Sequence, residues 1–273
     1  MKADAHDVDE VAARLAEAAR AAGLVLARHR FRAEARAKAD GSPVCAADLA
    51  ADAEAKRVLA EQLPGVPIVS EETVADRVPE GPFLLLDPLD GTREFLAGGD
   101  SYCVAIAYVG EGRALAGALC APALGRAWYG GRRAFGRRLA EDGGWAGPAE
   151  PIAVRPVPPA GPVALVSRFH GDSRSDAILA RLAPAEQITL SSAAKFGLIA
   201  SGEADLNIRC GPTMAWDVAA GDALLAAAGG VLCGLDGQAL DYRAIGRDSW
   251  RNPPFVAASS AVLAKRAVAA ASG

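Results

Sequence analysis

Residues 83–96 read FLLLDPLDGTREFL, four apolar residues running directly into two aspartates three positions apart. The run Phe83–Leu86 is short and continuous, follows Gly81-Pro82, and lacks the alternation of a strand with one wet face. Such a strand has to be covered on both sides, which limits the chain to folds whose sheets carry packed layers above and below. Pro88 cannot donate to a sheet ladder and Gly91 reaches backbone angles closed to other residues, so Asp87 to Gly91 is expected to turn sharply. Two carboxylates then crowd one turn. An Asp beside Gly or Pro is more often a turn or cap residue, and Asp90 capping a short helix through Phe95 would explain one acid but leave the other. Like charges held together raise each other's pKa and cost stability unless a cation shares them, and hard divalent ions prefer oxygen ligands.

The rest of the chain reads as an α+β front half and an α/β back half. Apolar positions at helical spacing mark an amphipathic helix from Val8 to Leu26, and a second helix runs from about Ala47 to Leu63, stopped by Pro64, with Asp48 in its first turn. A short strand, Val66 to Val69, ends in Ser70-Glu71-Glu72, so a second strand end carries acids. Antiparallel strands are expected at 102–108, 115–120 and 127–129. The Pro/Gly-rich stretch 143–162 is the best boundary, which divides the chain into halves 1–145 and 146–273. Beyond it strands near 163–167, 188–190, 205–208 and 231–233 alternate with helices near 176–182, 193–201 and 217–228, the pattern of an α/β layer. The Ala-rich end, 261–271, contains Lys265 and Arg266 and reads as a surface helix.

Composition excludes several classes. A chain of 273 residues that is 51% hydrophobic can fill a sizeable core, and a net charge of −4 offers no basic face for polymeric nucleic acid. No apolar segment approaches the roughly 20 uncharged residues of a membrane span, and the acidic N-terminus lacks a signal-peptide pattern, so a cytoplasmic location is expected. Five scattered cysteines with no CxxC pair argue against disulfide or zinc frameworks, and each is expected to be buried as a small hydrophobe.

A further acid, Asp217, stands between Trp216 and a long Ala/Leu helix, where an N-cap role would be ordinary. Glu71, Asp87, Asp90 and Asp217 nonetheless share one property: each lies at the end of an expected element, where α/β folds place ligands. One metal cluster accounts for all four.

DPLDGTREF, the SEE at 70–72 and WDVAAG at 216–221 resemble, in order and separation, the three signatures of the lithium-sensitive, magnesium-dependent inositol monophosphatase superfamily. KADGSPVCAAD (38–48), SSAAKF (191–196), RCGPTMAWD (209–217) and LDY followed by RNPPF look most like the CysQ-type 3′(2′),5′-bisphosphate nucleotidases. The resemblance implies an αβαβα layered sandwich with two or three Mg²⁺ ions between its halves. It implies Glu71, Asp87, Asp90, Asp217 and the carbonyl of Leu89 as ligands, and Asp48 with Thr92 as the pair that positions or deprotonates water. Gly91 and Thr92 would meet the phosphate, and Ser192, Lys195, Arg209 and His170 would line the substrate pocket. Three positions depart from the pattern: Cys45 replaces a usual Thr, Ser191 and Ala193 stand where Gly and Ser are common, and Arg93 replaces Lys.

A cation at Arg209, where inositol phosphatases of the superfamily tend to carry an acid, favours a substrate with a second phosphate. The implied reaction is hydrolysis of adenosine 3′,5′-bisphosphate to AMP and phosphate, with its phosphosulfate counterpart as a further substrate. The alternatives are an inositol or broad sugar phosphatase using the same metals, and a noncatalytic nucleotide sensor, which the intact acids speak against. A homodimer and a peripheral seat on the cytoplasmic face of the inner membrane stay open as expectations.

Overall fold

The computed structural model describes residues 7–30, 35–37, 43–74, 77–169 and 171–272. Helix α1, Val8–His29, opens on the Asp7 side chain, which accepts the Asp9 N–H. A small hairpin, β1 Ala35–Ala37 and β2 Pro43–Cys45, leads into α2, Ala46–Gln62. Then follow β3 Ile68–Ser70, β4 Phe83–Asp90, α3 Thr92–Leu96, β5 Cys103–Gly110, β6 Arg113–Ala121, β7 Arg126–Gly130, β8 Ala134–Arg138 and β9 Glu150–Ile152. Strands β3 to β9 form one seven-stranded sheet in sequence order, antiparallel except for the parallel β3–β4 pair.

The chain continues with β10 Val163–Val166, α4 Ser173–Leu182, β11 Glu186–Thr189, α5 Ala194–Ala200, β12 Leu206–Arg209, α6 Ala215–Ala227, β13 Val231–Gly234, α7 Tyr242–Asp248, β14 Phe255–Ala258 and α8 Ala261–Ser272. These five strands form a second sheet in the order β11-β10-β12-β14-β13. It is mixed, because β14 lies antiparallel between β12 and β13. β14 lies in RNPPFVAASS, where Pro253-Pro254 disguises the short apolar strand that follows.

Three apolar clusters set the layers. The apolar stripe of α1, with Leu15 and Leu26 fully buried, packs with α2 against one face of the first sheet, each such leucine contributing about 1.5–3 kcal/mol. Helices α5 and α6 fill the space between the two sheets, and α4 with α8 covers the outer face of the second. The result is an αβαβα sandwich in which β4 is buried along Phe83–Leu89. Gly117 on β6 lets α6 approach closely, since a Cβ there would lie 2.2 Å from the Ala220 carbonyl oxygen.

Two expectations need correction. Asp87 to Asp90 is not a sharp turn: β4 continues through Asp90, and its register against β5 is irregular between those residues, which accommodates Pro88 without a ladder donor. The chain turns only at Gly91, whose φ of 93° is open to glycine. Four cysteines are buried, but Cys210 is half-exposed, since it follows the last residue of β12 on the way out of the sheet.

Candidate metal and phosphate site

The ends of β3 and β4 and the start of α6 converge. Glu71 is fixed behind β3 by its N–H, which donates to the Leu86 carbonyl at 3.0 Å. Carboxylate oxygens of Glu71, Asp87 and Asp217 all lie within 4.8 Å of one another. Asp90 is not part of this trio, and one of its oxygens accepts the Ala193 N–H from the segment before α5. The Leu89 carbonyl accepts the Thr92 hydroxyl at 3.2 Å, or that hydroxyl turns to Asp48 at 3.4 Å.

Asp217 is not an N-cap. It occupies the third helical position of α6, and its Oδ2 accepts the N–H of Met214 at the cap. Asp48 does the same on α2, its Oδ2 accepting the Cys45 N–H at 2.8 Å. In each case one oxygen is tied into the helix start and the other is left for the site. The Cys45 thiol lies 2.9 Å from the same Asp48 oxygen, so cysteine keeps the hydrogen bond expected of a threonine, as a weaker donor. Burial and the Asp48 hydrogen bond push that thiol up to about 11, so it stays protonated and donates.

The electrostatics ask for a cation. Burial, then the charges of Glu71, Asp90 and Asp217, pushes the Asp87 carboxyl well above the usual range, and burial with Asp90 does the same to Asp217. Burial also pushes Asp90 up to about 6, although Lys195 and the Ala193 N–H favour its ionised form. The clustered groups are all carboxylates, hard oxygen donors of the kind that Mg²⁺ prefers and soft thiolate sites lack.

Without metal the sign of the pH dependence follows. An acid whose folded pKa is raised binds more protons folded than unfolded, so its stability contribution is full below about 3.8 and lost as pH rises through about 6 for Asp90. Metal-free protein is therefore expected to be more stable at pH 4.5 than at pH 6.5, by on the order of 2 kcal/mol from this group, and to melt at a correspondingly higher temperature. Saturating Mg²⁺ should reverse that order in differential scanning calorimetry. A melting temperature independent of both would contradict the clustering of buried charge.

A cleft of about 490 Å³ is lined by Glu71, Asp87, Leu89, Asp90, Gly91 and Thr92. A second cavity of about 130 Å³, lined by Lys195, Arg209, Ser167 and Phe169, shares the walls Asp90, Ser192 and Asp217 with it. Lys195 is buried, donates to the Ser192 carbonyl at 2.7 Å, and is brought down to about 8 by burial, with Asp90 opposing that fall. Arg209 is also buried, so it is not a solvated surface charge; it donates to the Pro212 carbonyl at 3.2 Å. Ser192 is held at φ 64°, a left-handed conformation rare for a residue with a side chain. His170 lies outside the described residues.

Sequence reasoning missed Glu94 and the Ser167–Phe169 segment. Glu94 is buried on α3 and accepts the Ser191 hydroxyl at 2.9 Å, tying the element after Asp90 to the loop before α5. Ser167–Phe169 follows the end of β10, and that position at a strand's carboxyl end was the available signal.

Comparison with known proteins places this geometry. A 3′(2′),5′-bisphosphate nucleotidase CysQ of Escherichia coli K12 is 37% identical over 221 residues, 80% of this chain and 86% of that protein. The CysQ of Aggregatibacter actinomycetemcomitans is 32% identical over 81% of this chain and 82% of its own. Among solved structures, CysQ from Bacteroides thetaiotaomicron, a bacterial member of the inositol monophosphatase family, superposes with TM-score 0.77 at 26% identity over 92% of this chain and 98% of its own. A Thermotoga maritima IMPase shares the fold at TM-score 0.75 and 21% identity over 94% of each chain. The model of the inositol monophosphatase family matches residues 7–272, and with the layered sandwich and the acids at its strand ends the chain belongs to that family.

Proposed function

We propose that this protein is a Mg²⁺-dependent 3′(2′),5′-bisphosphate nucleotidase that removes the 3′-phosphate of adenosine 3′,5′-bisphosphate, giving AMP and phosphate, and also accepts the phosphosulfate analogue. The observation that carries the reading is the shared wall between an acid-lined cleft and a cavity holding two buried cations, Lys195 and Arg209. The nucleotidase names of its relatives point the same way.

In this reading Glu71, Asp87, Asp90, Asp217 and the Leu89 carbonyl hold two or three ions between halves 1–145 and 146–273. When bound, the ions supply Lewis-acid charge for the phosphate oxygens and make hydroxide available near neutral pH. The chain's own residues do the rest. Thr92 and Asp48 orient the attacking water and take its proton, and Gly91 and Thr92 at the start of α3 donate to the phosphate being cleaved. Lys195, Arg209, Ser192 and His170 receive the phosphate that is kept. Inhibition by Li⁺ and a cytoplasmic location belong to the same proposal; among the described residues no helix is long and apolar enough to cross a membrane.

Phosphate release from adenosine 3′,5′-bisphosphate against inositol 1-phosphate, at equal concentration and with Mg²⁺ or EDTA, tests the proposal. Preference for the inositol ester would make the chain a sugar phosphatase, and no release from either would return it to a binding role. Arg209→Ala should lower kcat/KM for adenosine 3′,5′-bisphosphate tenfold to a hundredfold, roughly the worth of one charge-assisted hydrogen bond, mainly through KM. The same change should barely affect adenosine 3′-monophosphate, which has no second phosphate. Equal losses on both would assign Arg209 to the fold instead.

A further inference from the structure

Six of the seven phenylalanines fall among the described residues, and five of these face another ring. Phe83 meets Trp250, Phe95 meets Tyr102, Phe135 stacks on Tyr129, and Phe196 lies against Phe255. Phe169 is the sixth. Among the described residues no aromatic ring pairs with it, and it is 41% exposed. It is also the aromatic side chain that lines both the acidic cleft and the Lys195–Arg209 cavity while remaining open to solvent.

The segment that carries it is anchored on both preceding residues. Ser167 receives a hydrogen bond from Arg209 Nη1 at 3.3 Å. Arg168 lies 3.5 Å from the buried Glu94 carboxylate. An anchored loop therefore presents an uncovered aromatic ring two residues from the side chain that contacts Arg209. The other described phenylalanines each lie against a ring of this chain, so an open ring here points to a partner that arrives with the ligand. Val74, another exposed apolar side chain, lines the same cleft. A cleft of about 490 Å³ falls in the range that holds small organic ligands.

We propose that Phe169 is the platform on which the purine base of the substrate stacks, which makes it a specificity residue separating nucleotides from base-free sugar bisphosphates. This rests on the nucleotidase reading. A base offers a flat π-face to such a ring, whereas an inositol or sugar ring does not.

The test uses the full-length enzyme with adenosine 3′,5′-bisphosphate and with methyl ribofuranoside 3,5-bisphosphate, which keeps both phosphates and lacks the base. Phe169→Ala should raise KM for the nucleotide roughly 5- to 100-fold, the range found when a stacking aromatic is truncated, and leave KM for the methyl riboside within about twofold. Phe169→Tyr, which keeps the ring, should stay close to wild type on both. An equal rise in KM on the two substrates, or none on the nucleotide, overturns the platform. Wild-type preference for inositol 1-phosphate would overturn the nucleotidase reading separately. Calorimetric binding of AMP then decides Phe169 alone: it must weaken in Phe169→Ala and not in Phe169→Tyr, and unchanged or absent binding sinks it.

Discussion

Asp87→Asn is expected to lower kcat by on the order of a thousandfold or more at saturating Mg²⁺, the loss that follows when several kcal/mol of metal-derived stabilisation are removed. The substitution is nearly isosteric, and its amide oxygen can still accept the Leu89 N–H that Asp87 Oδ1 accepts at 3.0 Å. What disappears is a charge. In metal-free protein that charge is a burden, since Asp87 is buried and faces Glu71, Asp90 and Asp217. The variant should therefore melt at a higher temperature than wild type in EDTA and gain less from added Mg²⁺. Calorimetric titration with Mg²⁺ provides a readout that does not depend on turnover. Full activity, or a fall in metal-free stability, would remove Asp87 from the ligand set.

The opposition between stability and function explains how the surrounding elements are built. Acids that repel one another must be held by a scaffold that does not relax, and each is held by backbone. Glu71 is set by the parallel β3–β4 pair, Asp87 by the irregular part of β4, and Asp217 by the first turn of a helix wedged between two sheets. Any side chain at Gly117 would push α6 off the first sheet and carry Asp217 with it.

Much of this was legible in the chain itself. The four acids could be picked out because each lies at the end of an expected element, and α1 because its apolar stripe is regular. The turn expected at Asp87–Gly91 failed for a specific reason: proline forbids a ladder donor but not a strand, provided the register slips beside it. β14 was hidden by the prolines before it, and its antiparallel insertion between β12 and β13 is a matter of pairing that no local pattern encodes. Asp217 looked like a capping residue because its backbone bond is a capping bond, displaced to the third helical position so that the second oxygen stays available, and Asp48 makes the same bond on α2. The Glu94–Ser191 contact joins residues 97 apart in sequence, and although each lies inside a recognisable motif, neither motif encodes their pairing.

Asp48→Asn is expected to cost 10²- to 10⁴-fold in kcat, roughly the contribution of a positioned general base, with little change in KM. Asp48 Oδ2 is already occupied by the Cys45 N–H and thiol, so proton acceptance falls to Oδ1, which faces Thr92. An amide keeps an acceptor for the Cys45 N–H and the fold of the α2 start, but it cannot take a proton from water. Burial raises the Asp48 pKa, with the Cys45 bonds opposing and the Glu72 charge adding. The acid limb of the wild-type kcat profile should accordingly lie above the ordinary carboxylate range and vanish in Asp48→Asn. Cys45→Ala separates the roles: it removes only the thiol donor, so the acid limb should move to higher pH while kcat on the plateau stays near wild type. A Cys45→Ala profile superimposable on wild type would show that the thiol does not tune Asp48. An Asp48→Asn enzyme with undiminished kcat would show that the proton goes elsewhere.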